Sequence, residues 1–165
     1  MVAHPIHVAI LDDDPSVRTA LGRFLKAAGM TVDAHDTSDQ FFKSVALKTP
    51  DCLLLDFQMP GMSGLEVLRY HGQRYGRVPT IIMTANDAPG LRSACLNAGA
   101  NAYLNKPLNP EELLRTINEI SEVSHSDMLA SFASRRNSFD KLSRSAQPRC
   151  YSSPPKGKIT RKMVT

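Results

Sequence analysis

Between Ile6 and Ile120 the chain alternates short, β-rich apolar runs with stretches of helical periodicity, and this alternation constrains the fold more than any other feature. A strand, a helix and a further strand in succession favour parallel βαβ units, because a parallel pair of strands needs a long crossover connection. The candidate strands are Ile6–Leu11, Thr31–Ala34, Cys52–Asp56, Thr80–Thr84 and Ala102–Leu104. Between and after them, apolar residues recur at spacings of three and four, as in Val17, Leu21, Phe24 and Leu25, or Leu113, Leu114, Ile117 and Ile120. The pattern predicts an α/β domain of five strand–helix pairs around a doubly wound, five-stranded parallel sheet.

The helix starts carry their own signals. Asp14-Pro15 and Asn109-Pro110 each place a capping side chain before a proline at the first helical position. Thr37 with Gln40, Ser63 with Glu66, and Asn109 with Glu112 have capping-box spacing. Gly61 and Gly64 suit the turn and the helix start after the third strand.

After Ser124 the periodicity fades and Ser, Arg, Lys and Pro dominate, so residues 1–123 are expected to form one domain and 124–165 a tail. Residues 1–123 hold 11 Lys/Arg against 14 Asp/Glu, whereas 124–165 hold 9 against 2. Such a basic tail suits either a solvated, disordered segment or a binder of acidic partners. No apolar run approaches the roughly 18 residues of a membrane span, and the N-terminus lacks a secretory core, which points to the cytoplasm. Cys52, Cys95 and Cys150 share no metal-like spacing, and the first two read as small core residues. The five histidines show no ligand spacing either, and His71 and His125 read as surface residues.

In open parallel sheets the ligand site lies beyond the carboxyl ends of the strands. Here the first strand ends in Asp12-Asp13, the third in Asp56 and the fourth in Thr84, and Lys106 follows the fifth. Crowded carboxylates repel one another unless a cation joins them. Mg²⁺ takes oxygen ligands and commonly uses one or two carboxylates, leaving positions for water and phosphate oxygens. A carboxylate beside it can be a nucleophile toward a phosphoryl donor, with the lysine offsetting charge and the hydroxyl donating a hydrogen bond. Asp14, followed by Pro15, reads as a helix cap and not as a ligand.

The segments VAILDDDPSVR, LLLDFQMPGMSGLEVL, IIMTAND and AGANAYLNKPL resemble, in order, the signature segments of bacterial response regulator receiver domains over about residues 6–122. The resemblance implies a flavodoxin-like (βα)5 fold with strand order 2-1-3-4-5 and a phosphorylation switch of a two-component phosphorelay. It implies that Asp56 is the phosphoacceptor and that Thr84 and Lys106 assist it. Mg²⁺ would be held by Asp13, Asp56 and the Gln58 backbone carbonyl, with Asp12 acting mainly through bound water. Thr84 and Tyr103 would form the switch, and the Lys106–Pro107 peptide would be cis. The partners implied are a sensor histidine kinase or phosphotransfer protein, and a second copy of the chain through the face of the fourth helix, fifth strand and fifth helix. The domain is not expected to be an enzyme beyond catalysing its own phosphorylation and dephosphorylation.

The rival readings are a transcriptional regulator that binds DNA through the tail, and a Mg²⁺-dependent aspartyl phosphatase. The second is disfavoured because such phosphatases carry a carboxylate two residues past the nucleophile, where this chain has Gln58. For the first, Phe139–Ser143 looks like the entry to a helix-turn-helix module, but the residues beyond lack an amphipathic pattern. Back-translated from Pro148 and read in a shifted frame, they can encode such a pattern, so a frameshifted remnant of an output domain is one expectation for the tail. Nucleic acid is therefore not expected as a partner.

Overall fold

The computed structural model describes residues 4–86 and 88–122. Five strands form one sheet: β1 (His7–Leu11), β2 (Thr31–His35), β3 (Cys52–Asp56), β4 (Thr80–Thr84) and β5 (Ala102–Asn105). The helices between them are α1 (Pro15–Ala27), α2 (Ser38–Leu47), α3 (Gly64–Arg74) and α4 (Leu91–Asn97), and a fifth, α5, covers residues 110–122. All neighbouring strands pair in parallel, in the order β2-β1-β3-β4-β5, as expected. Three strand boundaries shift: β1 begins one residue later than expected, while β2 and β5 each extend one residue further, into His35 and Asn105.

Every residue of β1, β3 and β4 is buried, which is the signature of strands covered on both faces. Alternate side chains supply the two halves of the core. On one face Ala9, Leu11, Leu53, Leu55 and Ile82 pack with Phe41 and Val45 of α2 and with Val67 and Leu68 of α3. On the other, Val8, Ile10, Leu54, Ile81 and Met83 meet Leu21 and Leu25 of α1 and Leu113 and Ile117 of α5. Cys52 and Cys95 are both fully buried among these groups, as expected of core residues.

The caps fix where helices begin. Asp14 Oδ1 accepts from Ser16 N at 2.8 Å, so the third aspartate of the run is a cap as expected. Ser63 and Glu66 form the reciprocal capping box, Thr37 accepts from Gln40 N, and Asn109 Oδ1 accepts from Glu111 N and Glu112 N at 2.9 and 3.1 Å.

One expectation is overturned. His71 is not a surface residue but only 3% exposed, with its ring 5.5 Å from that of Phe41 and 5.6 Å from that of Tyr75. Val67, Leu68 and His71 stand four and three residues apart and so share one face of α3, which drives the imidazole inward with its apolar neighbours. Among the described residues no helix is long and apolar enough to cross a membrane. His125, Cys150 and the expected tail over 124–165 lie outside the described residues.

Candidate functional site

Strand register brings the predicted residues together. Leu11 pairs with Leu55, so the next residue along each strand, Asp12 and Asp56, emerge side by side at the carboxyl edge. Asp56 in turn pairs with Met83, one residue before Thr84, and Thr84 pairs with Asn105, one residue before Lys106. Carboxylate oxygens of Asp12, Asp13 and Asp56 all lie within 4.8 Å of one another. Lys106 reaches across two strands to hold Asp12 Oδ2 at 2.7 Å and Asp56 Oδ1 at 2.9 Å. The Lys106–Pro107 peptide is cis, as the resemblance implies.

The three carboxylates differ in environment. Asp12 is fully buried and each of its carboxylate oxygens has a partner, Oδ1 accepting from Asp14 N at 2.9 Å and Oδ2 from Lys106. Asp13 is exposed, while Asp56 is 5% exposed. Burial pushes the Asp56 carboxyl above its ordinary pKa; Lys106 pulls it down by hydrogen bonding and charge, and the charges of Asp12 and Asp13 push it up again. Burial alone would lower the Lys106 ammonium, but its hydrogen bonds and ion pairs with Asp12 and Asp56 outweigh that and leave it raised. Three carboxylates thus face one ammonium, and the cluster is short of positive charge. That shortfall, on an all-oxygen donor set with one exposed member, fits a small divalent cation such as Mg²⁺.

Thr84 is fully buried at the end of β4. Its hydroxyl closes on the loop that follows, donating to Asn86 O at 3.2 Å and accepting from Asn86 N at 3.1 Å. The same Asn86 carbonyl accepts from the Tyr103 hydroxyl at 3.1 Å. Tyr103 is buried against the α3 and α4 face, so its ring already sits inside the fold. Gln58 lies two residues past Asp56 with an exposed side chain. Gly64 is pressed on the loop that follows β3: a Cβ there would come 2.5 Å from Asp56 O and 2.9 Å from Phe57 Cα.

Two contributors were missed by sequence reasoning. The Asn86 carbonyl carries no side-chain signal at all. Arg18 does: a cation early in a helix opposes the helix dipole, so it calls for a local partner, and here its Nη1 donates to Asp12 O at 2.7 Å.

The family model described as the response regulator receiver domain matches residues 8–118. The DNA-binding transcriptional regulator NtrC of Salmonella typhimurium is 38% identical over 110 residues, covering 67% of this chain and 24% of that protein. The response regulator MprA of Mycobacterium ulcerans is 38% identical over 109 residues, covering 66% of this chain and 47% of that one. The chain therefore spans between about a quarter and a half of the length of these curated relatives. Among solved structures, a response regulator receiver protein from Burkholderia phymatum is 39% identical with a TM-score of 0.63, covering 71% of this chain and 95% of its own. A CheY-like receiver domain protein from Methanospirillum hungatei is 28% identical with a TM-score of 0.69, covering 75% and 99%.

Proposed function

The chain belongs to the response regulator receiver domain family, and from that membership we propose that it is a phosphorylation-dependent switch that accepts a phosphoryl group on Asp56 with Mg²⁺ as cofactor. The observation that carries this reading is the convergence of Asp12, Asp13, Asp56 and Lys106 at one sheet edge with an uncompensated negative charge. Receiver domains are signalling domains, so the chemistry proposed is limited to the chain's own phosphorylation and dephosphorylation.

An Asp56 carboxylate oxygen attacks phosphorus, and the bond from phosphorus to the donor breaks, leaving an aspartyl phosphate. When bound at this site, Mg²⁺ would supply positive charge to offset that of the transferring group. Asp13, exposed and with no hydrogen bond to its carboxylate among the described residues, would be the free direct ligand, together with Asp56 and the Gln58 carbonyl. Asp12, whose two oxygens each already accept one hydrogen bond, from Lys106 and Asp14 N, would act through a metal-bound water on a remaining lone pair and by orienting the lysine. Lys106 then follows the charge from the carboxylate to the phosphoryl oxygens.

Thr84 is the first reader of the modification. Its hydroxyl leaves the Asn86 carbonyl to donate to the phosphoryl group, while Tyr103 keeps its hold on that carbonyl and draws the β4–α4 loop with it. The face of α4, β5 and α5 changes as a result, which is where a second copy or a downstream partner docks. The donor is a sensor histidine kinase or a phosphotransfer protein, and a cytoplasmic location belongs to the same proposal.

The test is labelling of the full chain with acetyl phosphate, read by intact mass. One phosphoryl group should add in the presence of Mg²⁺ and none in its absence, and Asp56→Asn should abolish the gain. Undiminished labelling of Asp56→Asn would move the acceptor elsewhere and refute the reading.

A further inference from the structure

The cation would rest on Asp13, yet no hydrogen bond among the described residues holds the Asp13 carboxylate. Its position is therefore set by the backbone that carries it. The residue before it is held on every polar atom. Asp12 N donates to His35 O at 3.3 Å, Asp12 Oδ1 accepts from Asp14 N, and Oδ2 accepts from Lys106. Asp12 O accepts from Arg18 Nη1 at 2.7 Å. The last contact matters most for Asp13, because Asp12 O belongs to the peptide that joins the two aspartates. Fixing the plane of that peptide fixes the Asp13 Cα and the N–Cα bond about which its side chain is set.

Resting on the phosphoacceptor reading above, we propose that Arg18 is a positioning residue for the divalent cation: by clamping the Asp12–Asp13 peptide from the first turns of α1, it presents the Asp13 carboxylate to the metal. The guanidinium is suited to this. Its planar fork gives a directional donor, which a lysine at the same place would not. It does not act on the acceptor itself; the charges that act on the Asp56 carboxyl come from Lys106, Asp12 and Asp13. Its role runs through the backbone.

The proposal has a sign that plain electrostatics opposes. A cationic side chain near the site repels Mg²⁺, so deleting its charge should tighten binding if charge were all that mattered. Loss of a positioning contact behind a metal ligand should instead weaken binding, by roughly 10–100-fold for groups that orient ligands.

The experiment is titration of the full chain with MgCl₂, followed by backbone amide NMR shifts, which reach weak binding, with urea unfolding as a fold control. Arg18→Met should weaken Mg²⁺ binding about tenfold. In an Asp13→Ala background the same substitution should have almost no further effect, because the carboxylate it positions is gone. Arg18→Gln, too short to reach Asp12 O, carries the same expectations if the methionine variant does not fold. Unchanged or tighter binding in a folded Arg18 variant overturns the proposal, as does an equal loss with and without Asp13. If the wild-type chain itself shows no saturable Mg²⁺ binding, the phosphoacceptor reading fails first, and the two failures are told apart by that titration.

Discussion

Gly64 and Gly72 lie in the same helix, and the structure gives the same substitution opposite signs at the two positions. A Cβ at Gly72 would meet nothing within 4 Å. Gly72→Ala should therefore show only the helix preference of alanine over glycine, a gain of about 0.5–1 kcal/mol. At Gly64 the new carbon would stand 2.5 Å from Asp56 O, 2.9 Å from Phe57 Cα and 3.3 Å from Asp56 C. Carbon and oxygen seldom approach closer than about 3.3 Å, so roughly 0.8 Å of movement is required. The atoms in the way are backbone, which cannot swing aside as a side chain would. Overpacking of this kind costs about 1–3 kcal/mol, against at most about 1 kcal/mol returned by helix preference. A net loss of roughly 1 kcal/mol is expected from Gly64→Ala. Part of the strain should be relieved by displacing the acceptor loop, since the colliding oxygen is the carbonyl of Asp56 itself, and phosphorylation by acetyl phosphate should slow as well. Urea midpoints of the two variants and their labelling rates make the measurement. Equal signs of stability change at the two positions would show that the contact with the Asp56 backbone does not govern this helix start.

Asp13→Ala and Asp14→Ala should separate ligand from cap: the first should weaken Mg²⁺ binding in a calorimetric titration with little loss of stability. The second should lose about 0.5–2 kcal/mol of stability with its Mg²⁺ affinity intact. Burial holds the His71 imidazole below its ordinary pKa of 6.5, against a hydrogen bond to Gly76 that raises it. The native state therefore keeps the neutral ring, and the unfolded chain binds the extra proton first as the pH falls. Stability contributed by this residue should be full above about pH 6.5 and decline as the pH drops from there through the lowered folded value. His71→Phe should flatten that limb of the urea-midpoint profile; a variant whose profile overlays the parent would clear His71 of any part in acid sensitivity.

Much of this molecule could be read before its structure, and for a specific reason. In a parallel sheet buried on both faces, each central strand is a plain apolar run, and it stops where polar side chains begin. Asp12, Asp56 and Thr84 mark those stops in the sequence, and the register then sets Asp12 beside Asp56. What escaped was of two kinds. His71 shares a helical face with Val67 and Leu68, so its burial was present in the spacing, but its polarity argued for the surface. The final residues of β2 and β5, His35 and Asn105, are polar for the same reason that makes ladder ends hard to see: main-chain pairing continues after the apolar run ends. The second kind has no side-chain signature. The carbonyls of Asp12 and Asn86 are acceptors around which Arg18, Thr84 and Tyr103 are organised, and every residue has a carbonyl.

The division of labour among the three aspartates follows from burial and bonding and not from residue type. Asp12 can be fully buried because each of its polar atoms has a partner, and it spends its charge on orienting Lys106. Asp56 is nearly as buried but is satisfied by that one lysine, which is shared, so its carboxyl stays raised. Asp13 stays in contact with water. A fourth group that completed the compensation, such as a second lysine, would relieve Asp56 and at the same time remove the attraction for a cation. On the proposed reading, the charge deficit of the cluster is therefore the property that would let it take up Mg²⁺ and, with the metal, a phosphoryl group.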